Sequence, residues 1–141
     1  MKSMVEVLFK TRKYLVGFLL ISAFFFLIPF AWAQGVEDIT WTPASPTTAT
    51  PVTFIVKVSN PGPVAPICVK LETPGGSIVE QTHPGIGLST RGPINVRFKS
   101  VKYEKPGTYE VRAMLMTNEC REPLKQAKAP LRVERIVVRA P

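Results

Sequence analysis

Prolines set the strongest limit on this chain. All of its 14 prolines except Pro29 lie beyond residue 40, and they fall between short apolar runs rather than inside them. A proline within a helix removes one backbone hydrogen bond and clashes with the preceding turn. At this density no helix longer than a turn or two survives. What stands between the prolines alternates. The plainest case is Pro106-Gly-Thr-Tyr-Glu-Val-Arg-Ala-Met-Leu-Met116, where Tyr109, Val111, Ala113 and Leu115 share one face and Glu110, Arg112, Met114 and Met116 the other. A period of two with one apolar face marks a half-buried antiparallel strand. A tyrosine just after the Pro106-Gly107 turn, leading into such a strand, predicts a tyrosine corner in which the phenol caps a loop backbone group.

The first 33 residues are of another kind. Lys2, Lys10, Arg12 and Lys13 form a basic opening, Leu15 to Ile28 carry no charge, and Ala31-Trp32-Ala33 offers a small-x-small cleavage pattern before Gln34. This is the layout of a secretory signal peptide, here a signal helix over residues 1–33. The alternative is an uncleaved membrane anchor, although the apolar run is shorter than the ~20 residues that span a bilayer. No Cys stands at the cleavage point, so a lipoprotein is not expected. Export places the protein in the periplasm or outside the cell. Without the leader, residues 34–141 keep 14 basic and nine acidic side chains, a net charge near +5 instead of the formal +8. These 108 residues suffice for one domain with one core.

Seven strands are predicted in that domain. Val36 to Trp41 comes first, with Ile39 and Trp41 on one face, and Pro43 and Pro46 kink its end as at a sheet edge. Val52 to Val58 follows, with Val52, Phe54, Val56 and Val58 facing the core, and the turn Asn60-Pro-Gly-Pro63 ends it. Ile67, Val69 and Leu71 mark a third strand, closed by Pro74-Gly75-Gly76, and Ile78 to Gln81 a short fourth. His83 to Gly92 reads as a loop. Ile94, Val96 and Phe98 mark the fifth, with Asn95, Arg97 and Lys99 facing out. The sixth is the run above. The seventh, Leu131 to Arg139, changes phase between Val133 and Ile136, which predicts a bulge near Glu134-Arg135. Short strands at this spacing imply an all-β, immunoglobulin-like antiparallel β-sandwich over residues 34–141, with Trp41, Phe54, Phe98 and Tyr109 sharing its interior.

Several of these runs carry a family likeness. Pro51-Val-Thr-Phe-Ile-Val-Lys-Val-Ser-Asn-Pro-Gly62, Gly75-Gly-Ser-Ile-Val79, the Phe98 strand, Pro106-Gly-Thr-Tyr-Glu-Val111 and the Val-rich last strand resemble the cell-adhesion-related domain found in bacteria, over roughly residues 36–138. The resemblance implies a binding or spacer module outside the cytoplasm. That family often has an acidic, Asn-rich run between its last two strands. Here Thr117-Asn-Glu-Cys-Arg-Glu-Pro-Leu-Lys-Gln-Ala-Lys128 stands in its place, so a calcium site is not implied.

The two cysteines, Cys68 and Cys120, are an even count in an exported chain and imply a disulfide. In the sandwich order the third strand runs antiparallel beside the sixth. Cys68 begins the one, and Cys120 follows the end of the other. Cys68 opposes Ile67, Val69 and Leu71 in parity, and Cys120 has the parity of Met114 and Met116. The bridge is therefore expected on the outer face or rim of one sheet, with Cα atoms within ~7 Å. A redox or metal-binding thiol pair is the alternative, but there is no Cys-x-x-Cys spacing and no flanking His.

Catalytic patterns are missing. His83 is the one histidine and sits beside a turn, Ser77 and Ser89 have no identifiable partner, and no nucleophile elbow, zinc spacing or phosphate-cradling glycine loop occurs. The chain reads as a non-enzyme without cofactor. Two binding readings remain. In the first, Arg97, Lys99, Arg112, Arg132, Arg135 and Arg139 form a basic face for an envelope protein or an anionic cell-surface polymer. The same charges also serve simply to keep a sandwich soluble and its edges unpaired. In the second, Met114 and Met116, with His83, hold soft metal such as copper. Nucleic acid is not an expected partner, since no aromatic platform interleaves the basic residues. Membrane contact would come only through an uncleaved leader, and addition of the edge strand to a partner's sheet stays open.

Overall fold

The computed structural model of the protein describes residues 35–59, 66–86, 92–125 and 127–141. The leader, the Asn60–Pro63 turn and Ser89 lie outside them. The strands are β1 (Gly35–Thr42), β2 (Thr53–Ser59), β3 (Ile67–Glu72), β4 (Glu80–Ile86), β5 (Ile94–Arg97), β6 (Gly107–Thr117) and β7 (Leu131–Val138), and no helix occurs among the described residues. They form two antiparallel sheets, ordered β1-β2-β5 and β4-β3-β6-β7. β3 lies beside β6 with Ile67 opposite Thr117 and Glu72 opposite Arg112.

Alternation decides which side of each strand is buried. Phe54, Val56 and Val58 of β2, Ile67, Val69 and Leu71 of β3, and Val111, Ala113 and Leu115 of β6 turn inward to one cluster that both sheets share. Each such Val, Leu or Phe contributes about 1.5–3 kcal/mol by leaving water. Trp41 meets Phe54 edge-on with ring centroids 6.3 Å apart, and both Trp41 and Tyr109 pack on the cluster from its margin while Phe54 and Phe98 lie within it.

Four expectations change. His83-Pro84-Gly85-Ile86 belongs to β4, whereas Ile78 and Val79 precede it. The pairing steps from Val69 opposite His83 to Ile67 opposite Ile86, so Pro84 and Gly85 sit in a bulge. An edge strand tolerates a proline there because the missing N–H would have had no neighbour. β5 stops at Arg97, although Phe98 stays buried and its N–H donates to the Phe54 carbonyl at 3.0 Å. No bulge interrupts β7, whose pairing with β6 runs in register from Leu131 opposite Met114 to Val138 opposite Gly107. Finally, Tyr103 and Val101, beyond the expected fifth strand, are fully buried, and Tyr103 is the largest such side chain.

Both open sides between the layers are stitched. On one, Val52 and Val101 exchange backbone hydrogen bonds at 2.8 Å each way, Ser77 N–H donates to the Lys102 carbonyl, and the Gln81 amide pairs with the Lys99 backbone in both directions. The chain from Phe98 to Tyr103 thus touches β2 and the approach to β4. On the other side the chain through β1 runs parallel to that through β7, with isolated bridges just outside β7 at each end: Gly35, at the start of β1, to Ala129, and Thr47, beyond the end of β1, to Arg139.

The tyrosine corner forms. The Tyr109 hydroxyl donates to the Lys105 carbonyl at 2.6 Å, and its ring lies 4.5 Å from that of Tyr103. Tyr103 is different: its hydroxyl is buried with no hydrogen-bond partner among the described residues. Burial, with Tyr109 adding to it, pushes its phenol up to about 12. Tyr103→Phe is therefore expected to stabilise the protein by about 1 kcal/mol, since an unsatisfied buried group is removed. In the unfolded chain a tyrosine ionises near pH 10 while the folded one still holds its proton. The unfolded state then binds fewer protons, so stability is full below pH 10 and falls between 10 and 12. Urea titrations at neutral and alkaline pH check both points: the variant should start higher and decline less.

Candidate interaction surface

Cys68 and Cys120 form a disulfide pair with Cα atoms 5.4 Å apart. Cys68 stands opposite Met116 in the outward column of β3, and Cys120 sits at φ 58° in the turn after β6, its N–H donating to the Thr117 carbonyl. The pair thus lies on the outward side of the four-stranded sheet and leaves the core between the layers to apolar groups.

That outward face is a lattice of cross-strand rows. Glu80, Glu72, Arg112 and Val133 form one, Thr82, Lys70, Met114 and Leu131 the next, and Glu110 with Arg135 and Thr108 with Val137 continue it. Lys70 reaches Glu72 and Glu80 at 3.2 Å each. Its hydrogen bond to Glu72, aided by Glu80 and opposed by partial burial, raises the ammonium above the usual lysine value. Arg112 meets Glu110 at 3.1 Å. Charge is thereby balanced over β4, β3 and much of β6. Towards β7 the lattice turns apolar: Leu131, Val133 and Val137 are 51%, 43% and 53% exposed, beside a half-buried Met114.

The five arginines and one lysine expected on one basic face are distributed over several. Arg97 is on β5, in the other sheet, and Lys99 follows it with its backbone clamped by Gln81. Arg112 and Arg135 share the lattice just described. Arg132 falls in the inward column of β7, at the side of the sandwich, where it meets Glu134 at 2.8 Å and Asp38 at 3.7 Å. Arg139 lies past the end of β7 and donates its N–H to the Pro46 carbonyl. The thioether and imidazole groups are also separated. Met114 and Met116 belong to the outward face, Met116 being buried, whereas His83 pairs with Val69 on the inward side, edge-on to Phe98 at 6.4 Å. Among the described residues no cluster of three or more His, Cys, Asp or Glu is placed to hold a metal.

The expected bulge near Glu134-Arg135, which would have brought Leu131 and Val133 to the same face as Ile136 and Val138, hid the exposed apolar row. Its signal was the phase change itself. With β7 regular, Ile136 and Val138 must share a column with Arg132 and Glu134, and Leu131 and Val133 must face away. No family model, curated protein or solved structure matches the chain.

Proposed function

We propose that the chain is an exported immunoglobulin-like module of the cell envelope that works by non-covalent binding to another envelope protein. The observation that carries this reading is the exposed Leu131, Val133 and Val137, with Arg135 between the last two and Met114 beside Leu131, on a face where Lys70 and Arg112 hold carboxylates. An apolar strip with a charged border is the usual makeup of a protein-binding surface. The leader supports export, and a cysteine pair at disulfide distance suits an oxidising compartment. The order β1-β2-β5 against β4-β3-β6-β7, with its tyrosine corner, supports an immunoglobulin-like class. An anionic polymer is a weaker partner, because the basic residues are scattered and Arg112 and Arg132 already hold carboxylates. Soft-metal binding is weaker still, since His83 and Met114 are on opposite sides of the sheet.

The test is crosslinking in native envelopes followed by mass spectrometry. A protein partner should be captured, with a semi-tryptic peptide beginning at Gln34, and Val133→Lys should reduce the capture about tenfold, the effect of losing roughly 1.4 kcal/mol. Arg97→Glu, in the other sheet, should leave it unchanged. Capture that is indifferent to Val133→Lys would remove this surface from consideration, and no capture at all would remove the module.

A further inference from the structure

The edge of β7 is closed to an added strand. Val36 N–H donates to the Ala129 carbonyl at 3.0 Å at one end, and at the other Arg139 N–H donates to Pro46 and Thr48 N–H to the Arg139 carbonyl. These two brackets set Gly35–Val36 and Pro46–Thr48 in the sheet plane beside β7, so a partner reaches the strand over its outward side chains. There Leu131, Val133, Arg135 and Val137 follow one another at alternate positions, all exposed, in a column about 20 Å long at strand spacing. Charge on this face is unevenly placed. Lys70 draws Glu72 and Glu80 together near β4, and Arg112 takes Glu110, the residue opposite Arg135. Glu134, next in the chain, belongs to the inward column, where Arg132 holds it. Among the described residues Arg135 forms no ion pair. It is the cation on this face left without a carboxylate, and it stands between Val133 and Val137. Whatever covers those two valines covers the guanidinium with them. A charge taken out of water without a partner costs more than burying a valine returns.

We propose that the partner supplies the missing group: a protein segment in which one Asp or Glu, bordered by apolar side chains, meets Arg135 while its neighbours cover Leu131, Val133 and Val137. This rests on the module reading and names the chemistry of its partner. The guanidinium fork matches a carboxylate in two parallel hydrogen bonds, which fixes the register of the segment along β7. A polyanion fits less well, because Lys70 and Arg112 are already held and Glu72 and Glu80 stand across the same face. An anionic lipid would match Arg135 with its headgroup, but a sheet face covers an acyl chain from one side only.

The test uses the full chain in native envelopes, with a photoreactive side chain in place of Thr108, which faces outward opposite Val137. The labelled partner peptide should contain an Asp or Glu with apolar residues on both sides. That peptide, synthesised and titrated onto the purified full chain in mild detergent, should bind at least about tenfold more weakly once its acid is replaced by the amide, and Arg135→Glu should cost about as much. A peptide with Lys in place of its acid should then bind the Arg135→Glu chain better than the original peptide does. Glu110→Gln should leave binding unchanged or tighten it, since an internal competitor for Arg135 is gone. A labelled segment without a carboxylate, an amide peptide that binds as well as the acid, a labelled lipid, or Glu110→Gln as harmful as Arg135→Glu overturns the proposal. The comparison of acid and amide peptides needs no variant of the chain, so it stands whether or not Arg135→Glu folds. Binding lost with Val133→Lys but kept with Arg135→Glu retains this surface and rejects the acidic partner alone. Absence of any labelled protein removes the module reading and this one with it.

Discussion

Replacing both Cys68 and Cys120 by alanine is expected to cost about 4 kcal/mol, the entropy that a closed loop of this length removes from the unfolded chain. The bridge joins residues 52 apart, a span that holds β4, β5, β6 and all of β3 but Ile67. Without it the unfolded chain regains the freedom to separate the two central strands of the larger sheet. For a domain of this size the loss corresponds to a fall in Tm of about 15–30 °C. The native contacts should survive otherwise, because the pair lies outside the core. Thermal unfolding of the double variant against wild type measures it. A fall of only a few degrees would mean that the turn at Asn118–Arg121 holds itself without the bridge.

Gly75→Ala comes second, at about 2–5 kcal/mol. Gly75 adopts φ +84°, a conformation that costs a side-chain-bearing residue about 1–2 kcal/mol. A Cβ there would also stand 2.4 Å from the Tyr109 ring. That ring has no room to retreat, since Tyr103 packs on it and its hydroxyl is tied to Lys105. Crowding of this sort adds about 1–3 kcal/mol. Gly85→Ala separates the two effects: φ is +71°, yet nothing lies within 4 Å of the added Cβ. Only the backbone cost applies, so Gly85→Ala should be the milder by at least about 1 kcal/mol in urea midpoints at unchanged slope. Equal losses would place the strain in the backbone and not against Tyr109.

Much of the two-layer arrangement was legible because the strands in its middle alternate without interruption. β2, β3 and β6 are flanked on both sides, so one face must be apolar, and the parity of Cys68 followed directly from it. Legibility fails at the margins. Pro84 and Gly85 resemble a loop, but an edge strand has a side on which a proline does no harm. Val101 and Tyr103 were missed because the chain slips phase at Lys99-Ser100 as it passes from one layer towards the other, and no local period spans that slip. A bulge in β7 was expected because it would let the apolar Leu131 and Val133 share a face with Ile136 and Val138. The column that does face inward ends in Arg132 and Glu134, which the sandwich tolerates only because they lie at its side, near Asp38. Adding up positive residues likewise could not reveal that two layers hold them apart.

The parallel course of β1 and β7 has a mechanical consequence. Strands running the same way put Gly35 at one pole of the domain and Arg139 at the other, with the brackets to Ala129 and from Thr47 marking the two ends. Tension between the ends of the described domain would run along these strands and draw on both brackets at once, sliding one strand past the other. Bonds strained together in that direction resist far better than a row peeled open singly.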